Sequence, residues 1–322
     1  MGTSNSETNQ RAAVLRFFRK AALFLPILLL LPAVNYFVDP GNVFSHGKQE
    51  SAIAAEMAAG RNVANFDQFD ARLLNRAFVS QVRYRPDVVV LGTSRTLNFH
   101  SDLFPGKRLL NSGVFSGTLA DLLGLYEHVR QRQLRPSLVV LGIDPWMLNA
   151  DAYDARTVGL KDMIDSMQAR LGVQVYKPHT IVQREKLQTL FSPGYFQEAI
   201  LDVMTGRKRA KWYVTDKPIN AEYTRLPDGS FTYSAAERSS DSAAVMRRAI
   251  KYVQPPIFQI AENAPLSREN LQAIDKLVDL VRRDGSQVWL YLPPYHPYVY
   301  DHLARRPEYS IIDSGEAAVR EM

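Results

Sequence analysis

Residues 87–95 read Asp-Val-Val-Val-Leu-Gly-Thr-Ser-Arg. Four apolar residues in a row, closed by a glycine, suit a strand covered on both faces, as in parallel sheets packed against helices. Moving outward, Arg108–Val114 (RLLNSGV) is a weaker strand, followed by Gly117 and a helical stretch to about Arg132. Pro136 then introduces Ser137–Ile143 (SLVVLGI), again apolar on consecutive positions. Alternating strands and helices over so short a stretch predict an α/β fold with right-handed crossovers. The pattern returns late in the chain. Ser267 and Asn270 open a helix with Leu271, Ile274, Leu277, Val278 and Val281 on one face, and Asp284-Gly285 stops it. Gln287–Leu292 (QVWLYL) is the next strand, ending in Pro293-Pro294-Tyr295-His296-Pro297.

Between these halves, about 150–262 reads as an insertion over one end of the sheet. It is polar, helical in pieces (Leu160–Leu171, Gln183–Met204), and holds a hairpin, Tyr223–Tyr233, turning at Pro227-Asp228-Gly229. Residues 39–80 read as a polar connector and an amphipathic helix bearing Phe66, Phe69, Leu73 and Ala77. Residues 81–322 form the α/β domain. Ser314–Met322 looks like the opening turns of a helix with nothing after it, so a carboxyl-terminal βα unit is expected to be missing.

The chain has 322 residues, 46% of them hydrophobic and 22% charged, with no cysteine. Disulfide scaffolds, cysteine-ligated metals and a thiol nucleophile are thereby excluded. The net charge of +6 is concentrated at the start, where Arg11, Arg16, Arg19 and Lys20 face only Glu7. A second cluster, Arg207, Lys208, Arg209 and Lys211, reads as solvated surface, and no nucleic-acid-binding motif accompanies it. Nucleic acid is not an expected partner. Metal-ligand spacing, a P-loop and G-x-G-x-x-G are all absent, so no metal, nucleotide or other cofactor is expected.

Residues 21–38 (AALFLPILLLLPAVNYFV) carry no charge and are just long enough for a hydrocarbon core of about 30 Å. Cations precede them and Asp39-Pro40 follows. The positive-inside rule then keeps residues 1–20 cytoplasmic and exports the rest, giving a single-pass protein of the inner membrane with a periplasmic body. Pro26 and Pro32 are tolerated in such a span. A cleaved signal peptide is the main competitor, but the first A-x-A, Ala52-Ile53-Ala54, lies well beyond the apolar run. A buried core helix fits poorly with four flanking cations.

Function in open parallel sheets gathers at the carboxyl ends of strands. Four such ends carry polar groups: Thr93-Ser94-Arg95, Asn111-Ser112-Gly113, Asp144-Pro145-Trp146 and Tyr295-His296. A serine at a strand-to-helix turn exposes its hydroxyl and aims nearby N–H groups at an oxyanion. A glycine on the adjacent strand end admits substrate. Taken singly, each piece is bland: Ser94 and Gly113 are ordinary turn residues and Asp144-Pro145 an ordinary strand stop. Their order and spacing are more specific.

The runs 88–99 (VVVLGTSRTLNF), 111–123 (NSGVFSGTLADLL) and 138–149 (LVVLGIDPWMLN) resemble the first three sequence blocks of the SGNH/GDSL hydrolase superfamily. The likeness is to the membrane-anchored branch similar to the teichoic-acid D-alanine transfer protein and the alginate O-acetylation proteins. It covers residues 84–150 well and 266–300 loosely. It implies a three-layer α/β/α sandwich with a mainly parallel, flavodoxin-like sheet. It implies Ser94 as nucleophile and the N–H groups of Ser94 and Gly113 as oxyanion donors. The implied activity is that of a serine esterase or O-acyltransferase on an envelope or exopolysaccharide glycan, partnered by a multi-span membrane acyl-donor protein. Arg95, Asn111, Asp144, Trp146 and Tyr295 are the candidate substrate contacts. For Arg95 a salt bridge to a nearby acid is at least an equal alternative, and for Trp146 and Tyr295 closing a core is the commoner role.

Two departures stand out. Block three normally offers a neutral Asn, whereas Gly142-Ile143-Asp144 offers a carboxylate, which repels an oxyanion. The Asp-x-x-His of the family is missing, since none of His46, His100, His128, His179, His296 and His302 has Asp three residues earlier. Either the chain stops before that pair, or His296 replaces it as the base, or the site is not catalytic. The alternative function is a non-catalytic, glycan-binding or scaffolding protein of an envelope complex.

Overall fold

The computed structural model describes residues 20, 26, 29–40, 44, 47–65, 69–149, 151–152, 155–176, 187–205, 212–257, 260 and 262–322. The chain divides into two compact units, 1–46 with 180–210, and 47–179 with 211–322.

The larger unit begins with α2 (Lys48–Ala58), β1 (Asn62–Ala64) and α3 (Ala71–Gln81). Its central sheet comprises β2 (Val88–Leu91), β3 (Leu109–Asn111), β4 (Leu138–Gly142) and β8 (Gln287–Tyr291), in the order β3-β2-β4-β8 with every pair parallel. Val89 pairs with Leu110 on one side and Val139 on the other. The four predicted apolar runs are therefore the four strands. The chain moves from β2 to one side, then returns past it to β4. This reversal is a topological switch point, and it leaves a crevice outside the carboxyl ends of β2 and β4.

One face of the sheet, with Val89, Leu91, Leu110, Val139 and Leu141, joins the main core beneath α4 (Leu119–Gln131) and α10 (Arg268–Arg283). α4 opens on a capping box between Thr118 and Asp121. α10 is capped by Ser267, whose Oγ accepts from Asn270 N at 3.1 Å, and buries Ile274, Leu277, Val278 and Val281 as its periodicity predicts. The other face, with Val88, Val90, Leu109, Leu138 and Val140, packs against Phe99, Phe104 and Tyr291. Among the described residues no α-helix contributes to that cluster, and Trp289 on β8 is 56% exposed. The β2–β3 crossover spends its residues on a tight turn and one 3-10 turn, Ser101–Leu103, leaving none for a covering helix. The α/β class and the parallel sheet stand as expected; the helical third layer is not seen on this face.

Two parts of the amino-terminal half differ from expectation. The supposed polar connector contains α2, which buries Ile53, Ala54 and Met57, and the strand β1. The fully buried residues of α3 are Ala71, Arg72, Leu74, Asn75, Phe78 and Val79; the predicted stripe of Phe69, Leu73 and Ala77 is half-buried, with Phe69 and Ala77 packed against the core. Asp70 caps the helix, its side chain accepting from Arg72 N at 2.8 Å, so Phe69 precedes the first turn. Phe66 lies outside the described residues.

The insertion supplies α5 (Lys161–Leu171), β5 (Tyr213–Thr215), β6 (Thr224–Arg225), β7 (Phe231–Thr232), α8 (Ala235–Arg238) and α9 (Ser242–Tyr252). The predicted hairpin is the antiparallel pair β6–β7, and β1 joins β5 and β6 in a second sheet ordered β5-β1-β6-β7. Its turn docks on the edge of β3, where Asn111 N donates to Asp228 O at 2.7 Å. Gly229, at φ +85°, touches the Asn111 carbonyl where any Cβ would collide. After β8 come α11 (Pro297–Ala304) and α12 (Ile311–Arg320).

In the smaller unit, residues 29–38 are helical (α1), as are 187–190 (α6) and Pro193–Met204 (α7). Ser192-Pro193 breaks the stretch predicted as one helix. Asn35 is fully buried and its Nδ2 donates to the carbonyls of Thr189 (3.2 Å), Leu190 (2.8 Å) and Ser192 (3.1 Å). Asp39 accepts from Phe44 N at 2.8 Å and from Tyr195 Oη at 2.7 Å. Among the described residues no helix is long and apolar enough to cross a membrane. Positions 21–25 and 27–28 of the predicted span lie outside the described residues.

Candidate functional site

The turn after β2 is held by small residues. A Cβ on Gly92 would lie 2.6 Å from Thr96 Cγ2, and Gly142 on β4 meets the same methyl, so both glycines make room for Thr96. Thr96 Oγ1 in turn donates to Thr93 O at 2.9 Å. Asn111 at the end of β3 ties down the far side of the turn, its Nδ2 donating to Thr96 O (2.8 Å) and Phe99 O (3.1 Å). The result leaves Ser94 half-buried, with a hydroxyl that makes no hydrogen bond to the described residues. Gly113 stands on the same rim, where a Cβ would meet Thr96 Oγ1 and Leu97 Cδ2 at 2.9 Å. Its N–H is already engaged, donating to Asn111 Oδ1 at 3.0 Å.

Behind Ser94 the ends of β2, β4 and β8 are joined through Arg95. Asp144 is fully buried and accepts from Thr93 Oγ1 at 2.5 Å. Arg95 Nη1 lies 3.0 Å from Asp144 Oδ1 as an ion pair, and the same nitrogen donates to Pro293 O at 3.2 Å. The guanidinium carbon sits 3.8 Å from the Tyr295 ring centroid and 5.3 Å from that of Trp146. Burial pushes the Asp144 carboxyl up to about 6, against the opposing pull of Arg95 and Thr93. Burial also raises the Tyr295 phenol, with Tyr252 adding to it.

The expected substrate contacts thus separate. Asn111, Asp144 and Trp146 are buried and committed to the fold, Trp146 donating Nε1–H to Gly117 O at 3.0 Å. Arg95 forms the salt bridge that was its alternative reading, and Tyr295 packs beneath it.

His296 is not brought onto Ser94. It is the N-cap of α11, its Nδ1 accepting from Tyr298 N at 3.2 Å. His100 Nδ1 lies 3.3 Å from Ser230 Oγ, His128 Nε2 lies 3.1 Å from Ser80 Oγ, and His302 stacks on Tyr298. None of these four hydrogen-bonds to Ser94. His46 and His179 lie outside the described residues.

The sequence reading missed Thr93 and Tyr252. Thr93 was legible as a hydroxyl between Gly92 and Ser94; Tyr252 arrives from the insertion, and no local pattern announces it. Two of the expected substrate contacts, Asp144 and Tyr295, line a cavity of about 490 Å³ together with Leu148, Leu292, Pro293 and Tyr300. Ser94 is not part of that wall. No family model matches the chain, nor does any curated protein or solved structure, so the reading of the site rests on its own residues.

Proposed function

We propose that the chain is a membrane-anchored, extracytoplasmic serine esterase or O-acyltransferase of the SGNH kind, acting on an envelope or exopolysaccharide glycan through Ser94. One observation carries this reading: the half-buried Ser94 hydroxyl, which makes no hydrogen bond to the described residues, stands at the carboxyl end of β2, beside the switch point of the sheet. Ligands of open α/β sheets bind in that crevice, and the order β3-β2-β4-β8 agrees with the flavodoxin-like arrangement. The anchor is residues 21–38, supported by their lack of charge and the preceding cations.

In this reading Ser94 Oγ attacks the acyl carbonyl; in hydrolysis the sugar oxygen leaves and water takes the acyl group from Ser94, and in transfer the donor's carrier group leaves and a glycan hydroxyl takes the acyl group. The Ser94 proton passes to a base that the described histidines do not supply. Without a base, turnover falls by several powers of ten. The Ser94 and Gly113 amides hold the oxyanion, which requires Asn111 Oδ1 to release the Gly113 N–H. A multi-span membrane protein supplies the acyl group where the reaction is transfer. The test is acetate release from an O-acetylated polysaccharide by the full-length chain in detergent. Release by the wild type and none by Ser94→Ala supports the reading.

The engaged Gly113 amide and the carboxylate of Asp144 favour a second reading, a non-catalytic glycan-binding or scaffolding protein. Equal polysaccharide binding by wild type and Ser94→Ala, with no acetate released by either, selects it.

A further inference from the structure

Among its described residues the smaller unit exposes many large apolar side chains. Leu187, Phe191, Leu201, Val203 and Met204 are each between 54% and 78% exposed, within a stretch of 18 residues. In the same unit Leu29, Leu30 and Phe37 of α1 are exposed by 62%, 54% and 82%. Scattered exposed apolar residues are ordinary, but eight among the described residues of one small unit point to a covering partner.

Nδ2 of the buried Asn35 ties α1 to the break between α6 and α7, donating to the carbonyls of Thr189, Leu190 and Ser192. The exposed side chains of α1 and of residues 187–204 thus belong to one compact unit. Aromatic rings gather where α1 ends: Phe37 and Phe44 lie 5.4 and 5.5 Å from Tyr36, and Tyr195 at the start of α7 lies 6.4 Å from Phe44. Such clusters mark the headgroup level of a bilayer. The flanks of the segment are cationic. Lys177, Arg184 and Lys186 precede it and Arg207, Lys208, Arg209 and Lys211 follow it, against Glu185, Glu198 and Asp202.

We propose that residues 187–204 are a second membrane-contacting element, lying in the headgroup region of the bilayer that holds residues 21–38, with the flanking cations on anionic phospholipid. This absorbs the basic cluster at 207–211, which composition alone assigns to solvated surface. Apolar faces bordered by Lys and Arg are the pattern of interfacial helices. The inference rests on the anchor reading, and its test separates the two.

Because the chain has no cysteine, single cysteines carry a fluorophore uniquely. Full-length Leu201→Cys, Met204→Cys, Leu30→Cys and Gln272→Cys are labelled with an environment-sensitive dye and reconstituted in vesicles of phosphatidylethanolamine and phosphatidylglycerol. Spin-labelled lipid should quench positions 30, 201 and 204 by about twofold or more, as for any interfacial side chain. Aqueous iodide should quench position 272 alone. Lipid quenching at 30 without any at 201 and 204 overturns the inference and leaves the anchor intact; none at 30 overturns the anchor. Protection of 201 and 204 from both quenchers means that protein covers them, and also overturns it. Replacing Arg207, Lys208, Arg209 and Lys211 by Gln should reduce lipid quenching at 201 and 204 but not at 30. An unchanged signal there removes the anionic headgroups from the proposal.

Discussion

Thr93 Oγ1 donates to Asp144 Oδ2 at 2.5 Å, tying the end of β2 to the end of β4 across the switch point. Asp144 is thus a strut between two strand ends, with the Arg95 guanidinium against its carboxyl.

Asp144 makes stability depend on pH in an unusual direction. Its folded pKa of about 6 lies above the usual 3.8, so between these values the folded protein holds more protons than the unfolded chain. Stability from this group is present in acid and is lost as pH rises through that window, by about 3 kcal/mol. Urea unfolding of Asp144→Asn from pH 4 to 7 should lack this loss. Parallel curves for variant and wild type would contradict the assignment.

His128 acts in the opposite sense. Burial, with Arg76 and Arg132 nearby, lowers its pKa to about 4, so the unfolded chain binds more protons between 4 and 6.5. Its contribution is present at neutral pH and lost on acidification. The two effects overlap and offset in the wild type, so each shows only by variant. His128→Leu should flatten the acid side of the urea profile, with a change of about 3 kcal/mol between pH 7 and 4.

Arg72 and Asp121 form a fully buried, two-pronged ion pair, Nη2 to Oδ2 at 2.8 Å and Nε to Oδ1 at 3.1 Å. Arg72 also donates to Phe115 O (2.7 Å) and Ser116 O (3.1 Å), clamping the loop that carries Gly113. Arg72→Met should cost about 3–5 kcal/mol, because it strands a buried carboxylate. Arg72→Lys should restore little, since a single ammonium cannot fill both prongs and two carbonyls. Urea midpoints measure both.

Gly142→Ala should destabilise by about 1–3 kcal/mol, by driving a methyl into Thr96 Cγ2. Thr96→Ser removes that methyl and keeps the hydroxyl bonded to Thr93 O, so the double variant should recover most of the loss. An additive double variant would show that the glycine serves something else.

Consecutive apolar runs made the four strands of the parallel sheet readable in advance, and Asp228-Gly229 did the same for the hairpin. What stayed hidden depends on distant partners. The buried face of α3 turns on Arg72 reaching Asp121, an ion pair that periodicity scores as polar. β1 is three residues long and becomes a strand only because β5 and β6, from the insertion, flank it. At the site, strand-end logic located Ser94, Arg95, Asp144 and Tyr295 together. It could not tell that Gly113 N–H goes to Asn111, or that His296 is spent as a helix cap.

The central claim is that the Ser94 hydroxyl is an accessible nucleophile. Reaction of the full-length chain with a fluorophosphonate, followed by peptide mass spectrometry, tests it most directly. The account predicts a covalent adduct on Ser94 that disappears in Ser94→Ala. Modification at another serine only, such as Ser80 or Ser230, or no adduct at all, would contradict it.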